Sequence, residues 1–238
     1  MATLGIIGSG NIGSAVARLA VQAGVEVVMA NSRGPESLQD KVRELGVRAG
    51  TVEEAAQAGD WVMVTIPLGR YDQLPAEAFA GKVVLDTMNY YPSRDGRIER
   101  LDREEVTTAQ LVQEQYAGAH TVKVFNNISF RSIEPLARPS GSPDRTALPI
   151  AGDDPSAKAE VTKLLDVLGF DVVDVGTLAD SWRFEPETGV YVTPYLASTS
   201  TPEERAAGQV DPPKSFSAAE LTAALAQSQR PPVGERQF

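Results

Sequence analysis

Cysteine is absent and histidine occurs once among 238 residues. Disulfide cross-links and thiolate metal centres are therefore excluded, and one imidazole cannot build a histidine-rich metal site. Aromatic residues make up only 6% of the chain, and no apolar run approaches the ~18 residues of a membrane span. The early apolar segment TLGIIG is too short for a signal-peptide core and follows no basic stretch. Positive charge is also scarce: 22 Lys and Arg against 32 Asp and Glu give a net charge of −10 and a pI near 4.7. Such a field repels nucleic-acid backbones and anionic membrane surfaces. The expectation is a cytoplasmic chain with neither nucleic acid nor membrane as partner, holding small anions only where local geometry overrides the field.

What is present is a rhythm. Short apolar runs rich in β-branched residues fall at 3–8, 25–30, 46–50 (weak), 61–67, 82–88, 121–125, 146–152 and 171–176. Between them lie segments of helical period at 11–24, 35–46, 51–59 and 156–169, several closed by a glycine suited to a left-handed cap. This alternation predicts an α/β fold of Rossmann type, a doubly wound, mostly parallel sheet of up to eight strands covered on both faces. The expected division is a nucleotide-binding domain over 1–176 and a C-terminal segment over 177–238. Two stretches break the pattern. Residues 92–107 are dense in charge and read as a solvated loop or surface helix. Residues 198–238 cluster Pro, Ser and Gln around one short amphipathic candidate, SAAELTAALAQ, and read as a surface arm.

After the first run comes GSGNIG, with Gly8, Gly10 and Gly13 in the spacing G-x-G-x-x-G and Ser9, Asn11 and Ile12 between them. The motif alone is weak, but a strand precedes it and an amphipathic helix follows. Gly8 makes the tight turn, Gly10 admits a pyrophosphate to the backbone, and Gly13 lets helix press on strand. Free N–H groups at the helix start, aided by the helix dipole, hold the anion.

The second run ends at Asn31-Ser32-Arg33. NAD-preferring proteins usually place a carboxylate here to accept from the ribose hydroxyls, and a carboxylate would repel a 2'-phosphate. Ser32 instead offers a hydroxyl, and Arg33 a planar, permanent cation able to pair with phosphate and stack on adenine. The cofactor read from these residues is NADP(H).

In such sheets ligands lie beyond the C-terminal ends of the strands. Thr65, Ile66, Pro67 and Leu68 then edge the ribose and nicotinamide. Asn89 bonds an amide or hydroxyl, and Tyr90 or Tyr91 walls the pocket. Asn126 and Asn127 either contact the ligand near the nicotinamide or cap the helix beginning near Ser129. His120 and Lys123 read as structural. No histidine–carboxylate pair, serine-nucleophile motif or metal cluster is evident, so no catalytic residue is assigned. Hydride transfer between two ring cofactors needs little acid–base help and mainly needs the rings stacked. Residues 177–238 leave no room for a large helical substrate domain, so the acceptor must sit largely on the nucleotide domain.

In order and spacing, GIIGSGNIGSAVARLA, NSRGPESL, VTIPLG, VVLDTMNYY, VKVFNNIS and PIAGDDPSAKAEVTKLLDVLGFDVVDVGTLADSWRFEP resemble the NADP-dependent oxidoreductases of the deazaflavin coenzyme F-420 and the related reductase domain of membrane ferric reductases. The resemblance covers about residues 3–195. It implies hydride transfer between NADP(H) and a deazaflavin or flavin (FMN or FAD) in a cytoplasmic homodimer. It also implies Leu178, Trp182 and Pro186 covering the ring, with Asn126 near the nicotinamide. Glu36 and Ser37 stand where some relatives carry a second basic residue after the arginine, and Asn126 where some carry histidine. Two other expectations remain open: an NADP-dependent dehydrogenase of a small carbonyl or imine, and a non-catalytic NADP-binding sensor.

Overall fold

The computed structural model describes residues 2–201, 203–204 and 208–236. The chain runs β1 (Thr3–Ile7), α1 (Asn11–Gln22), β2 (Glu26–Ala30), α2 (Gln39–Leu45), β3 (Arg48–Ala49), α3 (Val52–Ala58), β4 (Trp61–Val64) and β5 (Val83–Asp86). It continues α4 (Pro92–Asp95), α5 (Glu99–Asp102), α6 (Thr108–Gln115), β6 (His120–Lys123), α7 (Phe130–Leu136), β7 (Ala147–Gly152), α8 (Pro155–Leu168) and β8 (Asp171–Gly176). A last helix spans Ala218–Ala226.

The eight strands form one sheet in the order β3-β2-β1-β4-β5-β6-β7-β8. Because side chains alternate across a strand, each buried run feeds both faces. Leu4, Ile6, Val27, Met29, Met63 and Leu85 enter the core with Val16 and Ala20 of α1 and Val161, Leu164 and Leu165 of α8. Ile7, Val28, Val62, Val64 and Val84 enter the other, with Ala55 of α3, Leu111 and Val112 of α6 and Tyr116. Each such fully buried aliphatic side chain contributes roughly 1.5–3 kcal/mol, which is why the runs lack a polar face. The Rossmann-type architecture is the one expected.

One helix was missing from the sequence reading. α6 carries a capping box: the Thr107 side chain accepts from Gln110 N–H while Gln110 Oε1 accepts from Thr107 N–H. The T-x-x-Q pattern at 107–110 was the signal for it.

β1 to β6 are parallel, β7 pairs antiparallel to β6 (Lys123 opposite Ala151), and β8 follows β7 in parallel. The last two strands thus point the other way, and the register that pairs Ile7, Val64, Asp86, Lys123, Ala151 and Gly176 in turn sets the end of β8 level with the ends of β1 and β4.

The charged stretch and the arm, two features without evident purpose in the sequence, are each other's partners. Arg97 Nη1 donates to Gly234 O at 2.9 Å, and Arg97 Nη2 to Arg236 O at 3.2 Å. Val233 N–H donates to Glu104 Oε1 at 3.3 Å, and Arg230 Nε lies 3.5 Å from Glu104 Oε2. Arg236 is 2% exposed and reaches Pro186 O, Glu185 and Glu187. Glu185 in turn accepts from both Thr108 N–H and Thr108 Oγ1. The stretch is therefore less solvated than its charge suggested: Leu101 and Val106 are buried beneath the arm's Val233.

Candidate functional site

At the C-terminal end of β1 the chain turns through Gly8 with φ 124°. A Cβ on Gly8 would sit 2.1 Å from Thr65 O, and one on Gly13 would sit 2.1 Å from Gly8 O. Both glycines are demanded by close backbone packing. Gly10 differs: a Cβ there would meet nothing within 4 Å, so its bareness leaves open space in front of the α1 N-terminus. That terminus has no side-chain cap and no acidic residue in its first turn. Among the described residues, the other helices of eight residues or more are capped by Thr107, Asp154 and Ser217. The first amides of α1 are thus left to an outside acceptor.

This space opens into a cavity of about 730 Å³ lined by Gly8, Ser9, Gly10, Asn31, Ser32, Arg33, Gly34, Thr51, Glu53, Thr65, Ile66, Pro67, Arg70 and Gln73 among others. Asn31 shapes its rim: its Nδ2 donates to Ser9 Oγ at 3.3 Å and Ser37 Oγ at 2.9 Å, and its Oδ1 accepts from Arg33 N–H at 2.9 Å. Arg33 is thereby anchored by its backbone, and its guanidinium has no carboxylate partner among the described residues.

A second cavity of about 530 Å³ shares Gly10, Thr65, Ile66 and Pro67 with the first, so the two adjoin along one trough-like edge. Its walls are Asn11, Ile12, Thr87, Met88, Asn89, Tyr91, Arg94, Phe125, Asn126, Ile128, Ser129, Phe130, Tyr191 and Val192. Asn89 and Asn126 are locked together: Asn89 Nδ2 donates to Asn126 O at 2.7 Å, and Asn126 Nδ2 donates to Phe184 O at 2.9 Å and Asn89 Oδ1 at 3.3 Å. Asn126 Oδ1 is left buried without a partner. Tyr91 and Tyr191 meet hydroxyl to hydroxyl, with the Arg94 guanidinium 4.7 Å from the Tyr91 ring centroid. Burial raises the Tyr191 phenol above its ordinary pKa, and Tyr91 adds to the effect.

Several expected residues lie elsewhere. The Leu68 side chain is fully buried in the core behind the trough, and Leu68 is not among the residues that line either cavity. Tyr90 is buried as well, with its hydroxyl on Asp102 and Ile98 N–H, so Tyr91 alone walls the cavity. Neither asparagine caps α7, because Ser129 does. Asn127 instead ties Val190 O to the Tyr195 hydroxyl. Leu178, Trp182 and Pro186 are not among the cavity's walls; the C-terminal segment reaches it through Tyr191 and Val192, with Val192 N–H on Asn127 O at 2.8 Å. Leu178 N–H is held by Asp153 Oδ1 at 2.9 Å, and Leu178 O accepts from Thr107 Oγ1 at 2.8 Å. His120, at the start of β6, lies 2.7 Å from Asp154.

Beneath the second cavity lies a pair that sequence reasoning did not connect. Lys123 and Asp86 are both fully buried, with Nζ to Oδ2 at 3.0 Å. Lys123 also donates to Met88 O, and Asp86 Oδ1 accepts from Met88 N–H at 2.8 Å. Burial pushes the Asp86 carboxyl up, while Lys123 and the Met88 amide pull it back. The pair fixes the turn that presents Thr87, Met88 and Asn89. Adjacent register positions on β5 and β6 were the available signal.

Two features of the trough fit a dinucleotide: the uncapped helix start behind Gly10, and an orphaned amide oxygen where a carboxamide donor would lie. Comparison with known proteins agrees with this class. Residues 3–90 match the family described as NADP oxidoreductase, coenzyme F420-dependent. Over that segment the chain is similar to this family of NADP-dependent oxidoreductases. It is 29% identical over 184 residues to metalloreductase STEAP3 of Rattus norvegicus, which covers 76% of this chain and 35% of the rat protein. The chain thus spans about a third of that relative's length. A crystal structure of a hypothetical protein, SMa0349 from Sinorhizobium meliloti, is 30% identical, with a TM-score of 0.71 over 80% of this chain and 93% of that one. A structure described as a "putative f420 dependent nadp-reductase" from Arthrobacter sp. FB24 shares the fold at a TM-score of 0.61 and 24% identity, over 75% of this chain and 86% of that one. Among the described residues no helix is long and apolar enough to cross a membrane.

Proposed function

We propose that the protein transfers hydride between NADP(H) in the first cavity and a deazaflavin (coenzyme F-420) or flavin ring in the second. The observation that carries this reading is the uncapped start of α1, the one such long helix among the described residues, whose open amides face a cavity that adjoins a second chamber with mixed polar and apolar walls. The α1 amides and Gly10 hold the diphosphate, and Ser32 and Arg33 hold the 2'-phosphate. Thr65, Ile66 and Pro67 edge the nicotinamide ribose at the junction of the two cavities. Asn126, held by Phe184 O and Asn89, accepts from the carboxamide and so fixes which ring face looks into the chamber.

The chemistry supplied by the bound cofactor is donation of a hydride from its dihydronicotinamide ring. The protein's part is to bring the two rings to about 3–3.5 Å and exclude water. Ile12, Met88, Phe130, Tyr191 and Val192 are shaped for that, being flat or apolar. The chamber's lining residues include no carboxylate and no imidazole, and its two phenols, Tyr91 and Tyr191, are paired with each other, which suits ring-to-ring transfer, where positioning matters most. The family description and the likeness to the rat metalloreductase support the same reaction class.

The test is loss of NADPH absorbance on mixing the purified protein with F-420, FMN or FAD. Turnover with at least one ring acceptor is expected. Turnover only with small carbonyls or imines, or binding without any turnover, overturns the proposal.

A further inference from the structure

After Arg33 the chain continues Gly34-Pro35-Glu36-Ser37, with no further cation before Lys41. A cofactor with a 2'-phosphate is strongly anionic, the protein is net −10, and Glu53 also lines the first cavity. One exposed guanidinium is a thin counterweight. The first cavity has a second cation that no motif announces, Arg70, on the short 3-10 helix Leu68–Gln73 that follows β4.

We infer that Arg70 is a specificity-determining residue that pairs with the 2'-phosphate from the side of the cavity opposite Arg33. The inference rests on the proposed NADP(H) site and deepens it. Three observations carry it. First, the backbone around Arg70 is pinned. Arg70 N–H donates to Pro67 O at 3.0 Å, Gly69 N–H to Asp95 Oδ1 at 3.2 Å, and the Tyr116 hydroxyl to Tyr71 O at 2.6 Å. The approach at Gly69 is close enough that a Cβ there would sit 2.9 Å from Asp95 O. Arg70 is thus presented at a fixed place on the rim.

Second, its guanidinium is uncommitted. The neighbouring arginines of the charged stretch all have carboxylates: Arg94 with Asp95, Arg97 with Asp102, Arg100 with Glu114 and Arg103 with Glu99. Arg70 has no side-chain hydrogen bond or ion pair among the described residues, and Arg33 is its counterpart in this respect. In an acidic protein, two unpaired guanidinium groups lining one cavity mark where negative charge is missing. Third, the two approach from different elements, Arg33 after β2 and Arg70 after β4, so a phosphate between them gains two planar donors without their crowding each other.

The alternative for Arg70 is stacking on adenine, which would serve NADPH and NADH alike. The experiment is therefore a titration of NADPH and of NADH, read by quenching of tryptophan fluorescence, on wild type, Arg33→Ala, Arg70→Ala, the double variant and Gly10→Val. Arg70 is exposed, so its loss leaves the melting temperature of the free protein unchanged. Expected is a weakening of about tenfold for NADPH in Arg70→Ala with less than twofold for NADH, and a larger combined loss in the double variant. If Arg33→Ala weakens NADPH selectively while Arg70→Ala leaves the NADPH/NADH ratio at the wild-type value, the inference falls and the site stands. Equal losses for both cofactors in Arg70→Ala mean stacking, and again the inference falls. If Gly10→Val and both arginine variants bind as wild type does, the site is wrong and the inference goes with it.

Discussion

The turn at Gly8–Gly13 and the latch between the charged stretch and the C-terminal arm treat their polar groups in opposite ways. In the latch, Arg97, Arg230 and Arg236 each find carboxylates or carbonyl oxygens contributed by distant parts of the chain. At the turn, a helix start is left uncapped and two guanidinium groups without partners line the cavity it faces. Among the described residues the other long helices are capped by a side chain, and under the proposed function the cofactor's diphosphate completes this one. The latch is not fully hydrogen-bonded, since Arg230 Nε, Arg236 Nε and Arg236 Nη1 have no hydrogen-bond partner, but each of its guanidinium groups faces a carboxylate, and among the described residues those of Arg33 and Arg70 face none.

The sharpest way to break this contrast is within the glycine motif. Gly10→Val should leave the melting temperature unchanged, since its Cβ has room, yet weaken NADPH binding by at least about 100-fold through the space it takes from the diphosphate. Gly13→Val should instead lower stability outright, because its Cβ would overlap Gly8 O. Equal thermal penalties in the two variants would erase the distinction. Next in size is the buried pair. Lys123→Met leaves Asp86 charged and alone, and should cost about 3–5 kcal/mol in chemical denaturation, whereas Lys123→Met with Asp86→Leu should recover much of that. Arg33→Ala should raise the KM for NADPH by roughly ten- to a hundredfold with little change for NADH. In the latch, Arg236→Met strands Glu185 in a buried site and should cost about 1–3 kcal/mol without altering the NADPH dissociation constant. A cofactor effect as large as that of Arg33→Ala would deny that the latch is purely structural.

The smallest effect concerns pH. Burial alone would raise the Asp95 carboxyl, but bonds from Arg94, Tyr91 N–H and Gly69 N–H outweigh it and hold the group below the usual carboxylate range. A depressed carboxylate contributes stability that is present above its unfolded pKa and is lost as pH falls through the folded one. Wild type should therefore lose this increment below about pH 4, and Asp95→Asn should show a flatter acid limb in thermal melts.

The nucleotide half was legible because its signals are local. Strands buried on both faces must be continuous apolar runs, and the glycine spacing, Asn31-Ser32-Arg33 and the strand-end residues Thr65 to Pro67 all sit within a few positions of such a run. Leu68 shows the limit: one residue past Pro67 the side chain turns into the core, and periodicity does not resolve a 3-10 turn. Arg70 was invisible for the same reason. The choice between Tyr90 and Tyr91 depends on Asp102 and Tyr191, and the latch depends on residues more than a hundred positions apart, such as Arg97 and Gly234. The reversal of β7 and β8 was equally beyond a pattern of apolar runs, which looks alike in either direction.

The meeting of Tyr91 with Tyr191 has a consequence for how the molecule comes into being. Chains emerge from the N-terminus during synthesis, so the residues that line the first cavity are all made before Tyr191 and Val192, which complete the lining of the second. Under the proposed function, a chain stopped short of Tyr191 would present the nicotinamide to bulk water.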